Sequence, residues 1–374
     1  MDQPQKLEIS LSPSILDRYV AREFITGYLV SLGVVLGLRM VLDMFIAFDE
    51  FIESGDGQHN AGAIEIILNI VDYYGPKLFE YFRDFSGTII LIAAAFSLVR
   101  MARQNELTAI MASGQSLKRM IVPVVILGIF FNLLMVADQE FVIPAQADRL
   151  VLDRDEVGGK LTRYPLWLVP DRDGSLLNIR EFDPQTGRVT GLLVIFRKEG
   201  TSTAILSAAH AIWNDANAYW DLDEGWLLVD DGSGRQPAAA YSSNLSPKDL
   251  LLQRNKNFKT LLSWRQLTDL LKRGELKDAD HRATLNEKHF RFTDPIINMV
   301  MLLLGLPMLV SRDNRTAQSK TALLLAMAGP AGCFVLTFAC KIMGADLMDP
   351  MLAAWLPIIV FTPLSIIAID SLKT

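Results

Sequence analysis

The sequence predicts a helical membrane protein of six spans, with an all-β extracytoplasmic domain inserted between the third and the fourth. Three observations carry this. Six apolar runs of about 20 residues are long enough to cross a hydrocarbon core. Residues 143–290 are instead polar, with short runs of partial alternation separated by turn residues. The whole chain of 374 residues is 51% hydrophobic and 21% charged, with a mean hydropathy of +0.26. That is too apolar for a soluble protein of this length and too charged for a bare bundle of spans.

The elements follow in order. Span 1 covers about 24–48 and begins only near Phe24; its full length reads as an uncleaved signal anchor. Arg39 and Asp43 lie four apart on one of its faces. They either neutralise each other or place charge on the wall of a substrate cavity. The loop DEFIESGDGQHN at 49–60 is acidic. The segment IEIILNIVDYYGPKLFEYF, with Pro76 inside it, is either a kinked extension of span 2 or an interfacial helix; span 2 proper is 86–102.

Between spans 2 and 3 stands RQNELTAIMASGQSLKR, which predicts a helix over 103–114 rather than a connector. Leu107, Ile110 and Met111 share one face, suited to a groove in another protein. Glu106 lies near the helix start, where a carboxylate suits the dipole. Gly114 can end the helix in a left-handed turn, and Ser116 can cap the next one. Span 3 follows at 119–142, so residues 1–142 form the first membrane unit.

Residues 143–262 form the β domain: SLLNIREFD, GLLVIFRKEG, TAILSAAHAIW and YWDLDEGWLLVD indicate a sandwich or an open roll. A helical linker occupies 263–291. Ser263 and Gln266 fit a capping box, Trp264, Leu267, Leu270 and Leu271 share a face, Gly274 ends the helix, and ELKDADHRATLNEK leads back to the membrane. The second membrane unit, 292–374, holds span 4 (292–311), span 5 (321–342) and span 6 (352–370). Span 5 carries Ala326, Gly329, Ala331 and Gly332, which allow close helix approach, and Pro330, which permits a bend.

Basic residues set the orientation. Arg18, Arg22, Arg103, Lys118, Arg119, Arg312, Arg315, Lys320 and Lys373 all fall on one side of a six-span chain, while the 49–60 loop on the other side is acidic. Both termini are therefore expected in the cytoplasm and the β domain outside.

Several chemistries are excluded. The net charge of −6 gives no footprint for nucleic acid. There is no G-x-x-x-x-G-K-[ST], no H-E-x-x-H and no G-x-S-x-G. His59, His210, His281 and His289 are scattered. Cys333 and Cys340, seven apart on one helix, read as small buried hydrophobes. The chain is not expected to be an enzyme or to bind a cofactor, and any energy must arrive from another protein.

The order of LDRYVAREF, an acidic loop, ARQNELTAIMASGQSLKRM, a β domain containing ILSAAHAIWNDANAYWDLDEG, then EKHFRFTDPI, LLLGLPM and DPMLAAWLPIIVF resembles the LptF/LptG (YjgP/YjgQ) permeases over nearly the whole chain. LDRY and AFDEFIESGDG lean slightly toward LptG. The resemblance implies a multi-pass subunit of the bacterial inner membrane, with a periplasmic jelly-roll-like domain. It implies pairing with a second permease of this type and driving by a cytoplasmic LptB-like ATPase dimer, which holds the ATP and Mg. It further implies lipopolysaccharide or a similar glycolipid as cargo, taken from the outer leaflet and handed to an LptC/LptA-like bridge. Glu106 would then pair with a basic residue of the ATPase. The sequence departs from the family where span 1 ends, since FDEFIESGD stands where lysines would face lipid phosphates. Arg39, Lys288 and Arg291 are the alternative cavity contacts. Two rival readings are a mechanotransmission subunit and a membrane-anchored interaction protein; six spans and an ordered cytoplasmic helix exceed what either needs.

Overall fold

The computed structural model of the chain describes residues 15–46, 63–151, 163–171, 174–198, 201–215, 219–229, 234–253, 258–272, 278–309 and 320–370. The acidic stretch 49–56, Gly274, and the basic residues Arg312, Arg315 and Lys373 lie outside these.

Among the described residues, six helices are long and apolar enough to cross a membrane. The first span is α1 (Ile15–Ile46). The segment before span 2 is continuous with it: α2 runs unbroken from Ala63 to Arg103, with Pro76 inside. Of the two readings left open by the sequence, the extension is the one adopted. Next come the short α3 (Glu106–Ala112) and the third span, α4 (Leu117–Ala137). The third span continues through a π-helical turn, Asp138–Val142, into two short pieces, α5 (Ile143–Ala145) and α6 (Ala147–Leu150).

The fourth span begins earlier than the apolar run suggests. Its helix, α9 (Asp278–Leu309), absorbs most of the stretch read as a polar linker. The reason lies in the periodicity of its polar residues. Glu287, Arg291, Asp294 and Asn298 recur every three to four positions, so they fall on one face that packs against other helices instead of lipid. Spans five and six are α10 (Lys320–Asp346) and α11 (Pro350–Asp370).

Helix α9 is the hub. Its Leu302 and Leu306 join one core with Phe24 of α1, Ile90 and Leu98 of α2, and Met120 of α4. Its Phe290, Ile297 and Met301 join a second core with Cys333 and Cys340 of α10 and Ala353 of α11. Lipid is as apolar as these side chains, so close packing and interhelical hydrogen bonds hold the bundle more than hydrophobicity does. Two glycines admit the hub's polar residues. A Cβ on Gly87 would come within 2.1 Å of Asn298 Oδ1, and one on Gly344 within 2.2 Å of Asn286 Oδ1. Asn298 then donates to Asn132 Oδ1 at 3.2 Å, and Asn132 to the Pro295 carbonyl at 2.6 Å. The close approach on α10 is thus at Gly344; Ala331 and Gly332 face outward.

Between the third and fourth spans, eight strands form one antiparallel sheet. Strands β1 (Tyr164–Pro170), β2 (Leu176–Asp183), β3 (Arg188–Lys198), β4 (Thr201–Asn214) and β5 (Tyr219–Asp223) make a meander. Long β4 carries two neighbours on one edge: β5 along 210–214 and β6 (Trp226–Val229) along 204–207. Strand β7 (Arg235–Pro237) extends β6, and β8 (Ala240–Ser242) extends β5. Splitting of the sheet along β4 makes an open roll, the second of the two architectures the sequence allows. Its core gathers Ile179, Phe182, Val194, Trp220 and Tyr241, capped by Leu245 and by Leu250 of α7 (Pro247–Gln253). Buried Asp171 ties the roll shut, accepting from Tyr241 Oη at 2.8 Å, Asn244 N at 3.0 Å and Ser243 Oγ.

A 3-10 turn (Phe258–Leu261) and α8 (Trp264–Lys272) return the chain to the membrane. The capping box at the head of α8 is reciprocal: Ser263 N donates to Gln266 Oε1 at 2.7 Å, and Gln266 N to Ser263 Oγ at 3.3 Å.

Candidate functional site

Two polar regions stand out along α2, one beyond its C-terminal end and one at its middle, around Arg83. The first is the turn containing α3. Two left-handed residues bracket this helix, Asn105 at φ 58° and Gly114 at φ 79°. The closing turn has the Schellman pattern: Gly114 N donates to the Met111 carbonyl at 3.0 Å and Gln115 N to the Ile110 carbonyl at 3.4 Å. Ser116 then caps α4, its side chain accepting from Arg119 N.

The orientation of α3 differs from the sequence expectation. Leu107 is only 6% exposed, and Ile110 and Met111 pack on the same core as Phe24 and Leu98. The apolar face of so short a helix turns to the nearest apolar surface, which is its own bundle. The fully exposed surface is small and polar, Asn105, Thr108, Ala109, Ala112 and Ser113, with Ile110 and Met111 half-buried at its edge. Glu106 stays half-exposed beside it. Tyr19 of α1 donates to its carboxylate, with Oη 2.9 Å from Oε1 and 2.8 Å from Oε2. Beside this contact, Arg100 of α2 pairs with Glu23 of α1 at 3.1 Å. Tyr19 was not anticipated; its place in LDRYVAREF, one helical turn before Glu23, is the signal that could have found it.

The second region lies where the β domain joins the spans. Arg291 is deeply buried, its side chain 2% exposed. It pairs with Glu140 of the π turn at 3.1 Å and donates to the Gln139 and Thr260 carbonyls at 3.3 and 3.0 Å. Arg83 of α2 donates to the same Thr260 carbonyl at 2.9 Å, and Glu140 also accepts from Trp264 N at 2.9 Å. Arg291 is therefore the pin of a joint between α2, the third span, the returning chain and α9, and it offers no free face to a lipid. Lys288 lies near this joint, its ammonium 5.0 Å from the Trp264 ring centroid.

Next to the joint is a cavity of about 510 Å³. It is walled by Arg83, Asp84, Glu287, Asp294 and Lys341, with Phe338 among its apolar lining. Asp294 and Lys341 pair at 2.8 Å across α9 and α10. These charges lie inside span-length helices, yet only Arg39 and Asp43 stand out when the spans are read as apolar runs. The stripe of Glu80, Arg83, Asp84 and Gly87, facing that of Glu287, Arg291, Asp294 and Asn298, is the helical-period signal that reveals them.

Arg39 and Asp43 do form the neutralising pair, at 3.4 Å. Tyr74 donates to Asp43 at 3.1 Å, and the Arg39 guanidinium lies 4.9 Å from the Tyr81 ring centroid. Neither residue lines the charged cavity. Among the described residues no group of three or more His, Cys, Asp or Glu could hold a metal ion.

Comparison with curated proteins returned no match. Comparison with protein families returned one whose description covers both permease types together, so the lean toward LptG drawn from LDRY and AFDEFIESGDG is not resolved. Its match reaches from Arg18, beside Tyr19, to Asp370 at the end of α11, and so includes the turn at Glu106, the open roll and the joint at Arg291. From this near-complete match, the chain belongs to the LptF/LptG family, described as the lipopolysaccharide export system permease, and is a multi-pass inner-membrane transporter subunit.

Proposed function

We propose that this chain is one of two paired permeases in an ATP-driven exporter that extracts lipopolysaccharide, or a similarly large glycolipid, from the outer leaflet of the inner membrane. The observation that carries it is the family match over 18–370, combined with a chain that has no nucleotide motif of its own. Energy must enter through a protein contact, and the turn around Glu106 is the candidate. It is ordered by two caps, anchored to the bundle through Leu107, and exposed on its small face. An LptB-like ATPase, holding ATP and Mg, would seat on that face, with Glu106 offering its carboxylate to a basic residue.

A second permease of the same type would cover the apolar flanks. Helix α1 exposes Leu29, Val34, Leu38 and Leu42, and α10 exposes Val335 and Phe338 beside the outward Ala331 and Gly332. Small residues there let a partner helix approach closely. With both termini in the cytoplasm, the open roll stands in the periplasm and passes the lipid to an LptC/LptA-like bridge.

The test is Glu106→Arg in the full-length chain, purified from membranes with its partners. Expected is normal insertion, loss of the co-purifying ATPase, and loss of export. Unchanged co-purification together with unchanged export would overturn the coupling role.

A further inference from the structure

We propose that a cavity in the open roll, where β4 passes from one edge neighbour to the other, binds a sugar ring of the transported glycolipid. This deepens the permease reading above and rests on it for the source of the sugar.

The sheet parts at one place. Strand β4 pairs with β5 as far as His210 opposite Asp223, and with β6 as far as Ser207 opposite Trp226. Ala208 and Ala209 between them have no strand partner on that edge among the described residues. A cavity of about 540 Å³ lies there, within the usual size of small-ligand clefts. Arg180, Thr190, Ser207, His210, Glu224 and Trp226 stand on its wall.

Backbone geometry places the two charged residues. Gly191 is at φ 67°, and a Cβ there would lie 3.0 Å from Arg180 Cβ and 3.4 Å from Arg180 Nε. The bare glycine lets the Arg180 side chain fold across β3. Glu224 is at φ 54°, a left-handed conformation that a non-glycine residue rarely takes. Beside it, a Cβ on Gly225 would meet the Ala238 carbonyl at 2.2 Å, and Ala238 N donates to the Gly225 carbonyl at 2.9 Å. The turn that carries Glu224 is thus fixed from below, and backbone strain of this kind clusters where a side chain must be aimed at a ligand.

The polar groups on the wall do not answer one another. Among the described residues Arg180, His210 and Glu224 take no hydrogen bond or ion pair. His210 Nδ1 is shut off from solvent and has no partner. An orphaned acceptor is tolerated better than an orphaned donor, so the neutral ring carries its proton on Nε2. The wall therefore offers donors on Arg180 and His210 and an acceptor on Glu224. Thr190 and Ser207 add hydroxyls that do both, and Trp226 adds an aromatic ring. An anion would meet the Glu224 carboxylate, a cation would meet the Arg180 guanidinium, and an apolar ligand would strand every polar group. A sugar ring matches the set. Its hydroxyls both donate and accept, and its C–H face packs on an aromatic ring.

The experiment uses the full-length chain in nanodiscs, titrated with neutral trisaccharides of glucose, galactose or N-acetylglucosamine. Contact is read by saturation-transfer NMR. Expected is transfer to at least one of these sugars. Its affinity should fall about tenfold in Glu224→Ala and in Arg180→Ala, and be partly kept in Glu224→Gln, which retains an acceptor. Both residues are exposed, so the variants keep the fold. No transfer to any of these sugars in the parent chain, or an unchanged affinity in either alanine variant, overturns the proposal. Displacement of the sugar by inorganic phosphate alone or by ethanolamine alone marks an ion site, and the proposal then fails as well. Export by the assembled complex is read separately. Sugar binding without export would sink the permease reading and leave this site; export without sugar binding would sink the site alone.

Discussion

The two polar regions along α2, the turn after its C-terminal end and the joint at its middle, are built by opposite rules. At the Glu106 turn, polar contacts are few and open to solvent: one tyrosine on one carboxylate, one ion pair beside it, and a seven-residue helix whose outer face is small. At the Arg291 joint, two guanidinium groups converge on one backbone carbonyl, and the Arg291 side chain is only 2% exposed. The first arrangement suits a surface that engages and releases another protein, since solvent can replace each contact. The second suits permanent attachment, since several buried groups from four segments share the same partners and cannot be released singly.

That contrast can be broken. The largest effect is expected at the joint. Arg291→Ala removes the cation paired with Glu140, the Arg291 donor to the Gln139 carbonyl and one of two donors to the Thr260 carbonyl, and should cost about 3–5 kcal/mol, read as a collapse of the thermal unfolding midpoint in detergent. Gly87→Ala comes next. Its Cβ drives Asn298 away from Asn132, for about 1–3 kcal/mol, and a second change, Asn298→Ala, should recover part of the loss. If either variant is as stable as the parent, the joint is not the fixed end.

The turn should respond more weakly in stability and more strongly in assembly. Gly114→Ala forces an alanine into φ 79° with open space around it, so backbone strain alone acts, for about 1 kcal/mol. Tyr19→Phe removes one donor from Glu106 and should change the unfolding free energy by only about 0.5–1.5 kcal/mol. It should nevertheless lower ATPase co-purification several-fold if Tyr19 orients the carboxylate. Equal stability losses at the turn and at the joint would erase the distinction.

Much of this was legible in the residues. The six apolar runs, the β signature and the punctuation at Gly114, Ser116 and Ser263 are local features, and local physics fixes them. The facing of α3 was not legible. Periodicity shows that Leu107, Ile110 and Met111 share a side, but which surface they meet depends on where Phe24 and Leu98 come to lie in three dimensions. The charged cavity was missed for a related reason. Reading spans by apolar runs puts Arg83 just outside span 2 and Glu287 in a polar linker, whereas charges on one face of a long helix can stay inside when another helix answers them. Arg291, expected at a lipid surface, is claimed by Glu140, which lies 151 positions earlier in the chain.

One consequence of the unbroken α2 concerns displacement. Arg83 sits in the joint, and Arg103 is the last residue before the turn at Glu106, so roughly 30 Å of straight helix separates the two. The half of α2 beyond Arg83 acts as a lever whose fulcrum is the buried middle of the helix. A tilt of about 10° there sweeps the far end through about 5 Å, comparable to one helical turn. Motion imposed by an ATPase at the exposed end would be scaled down on its way to the joint and the cavity beside it. A large, weak stroke outside would become a small, forceful one where α2 meets α9.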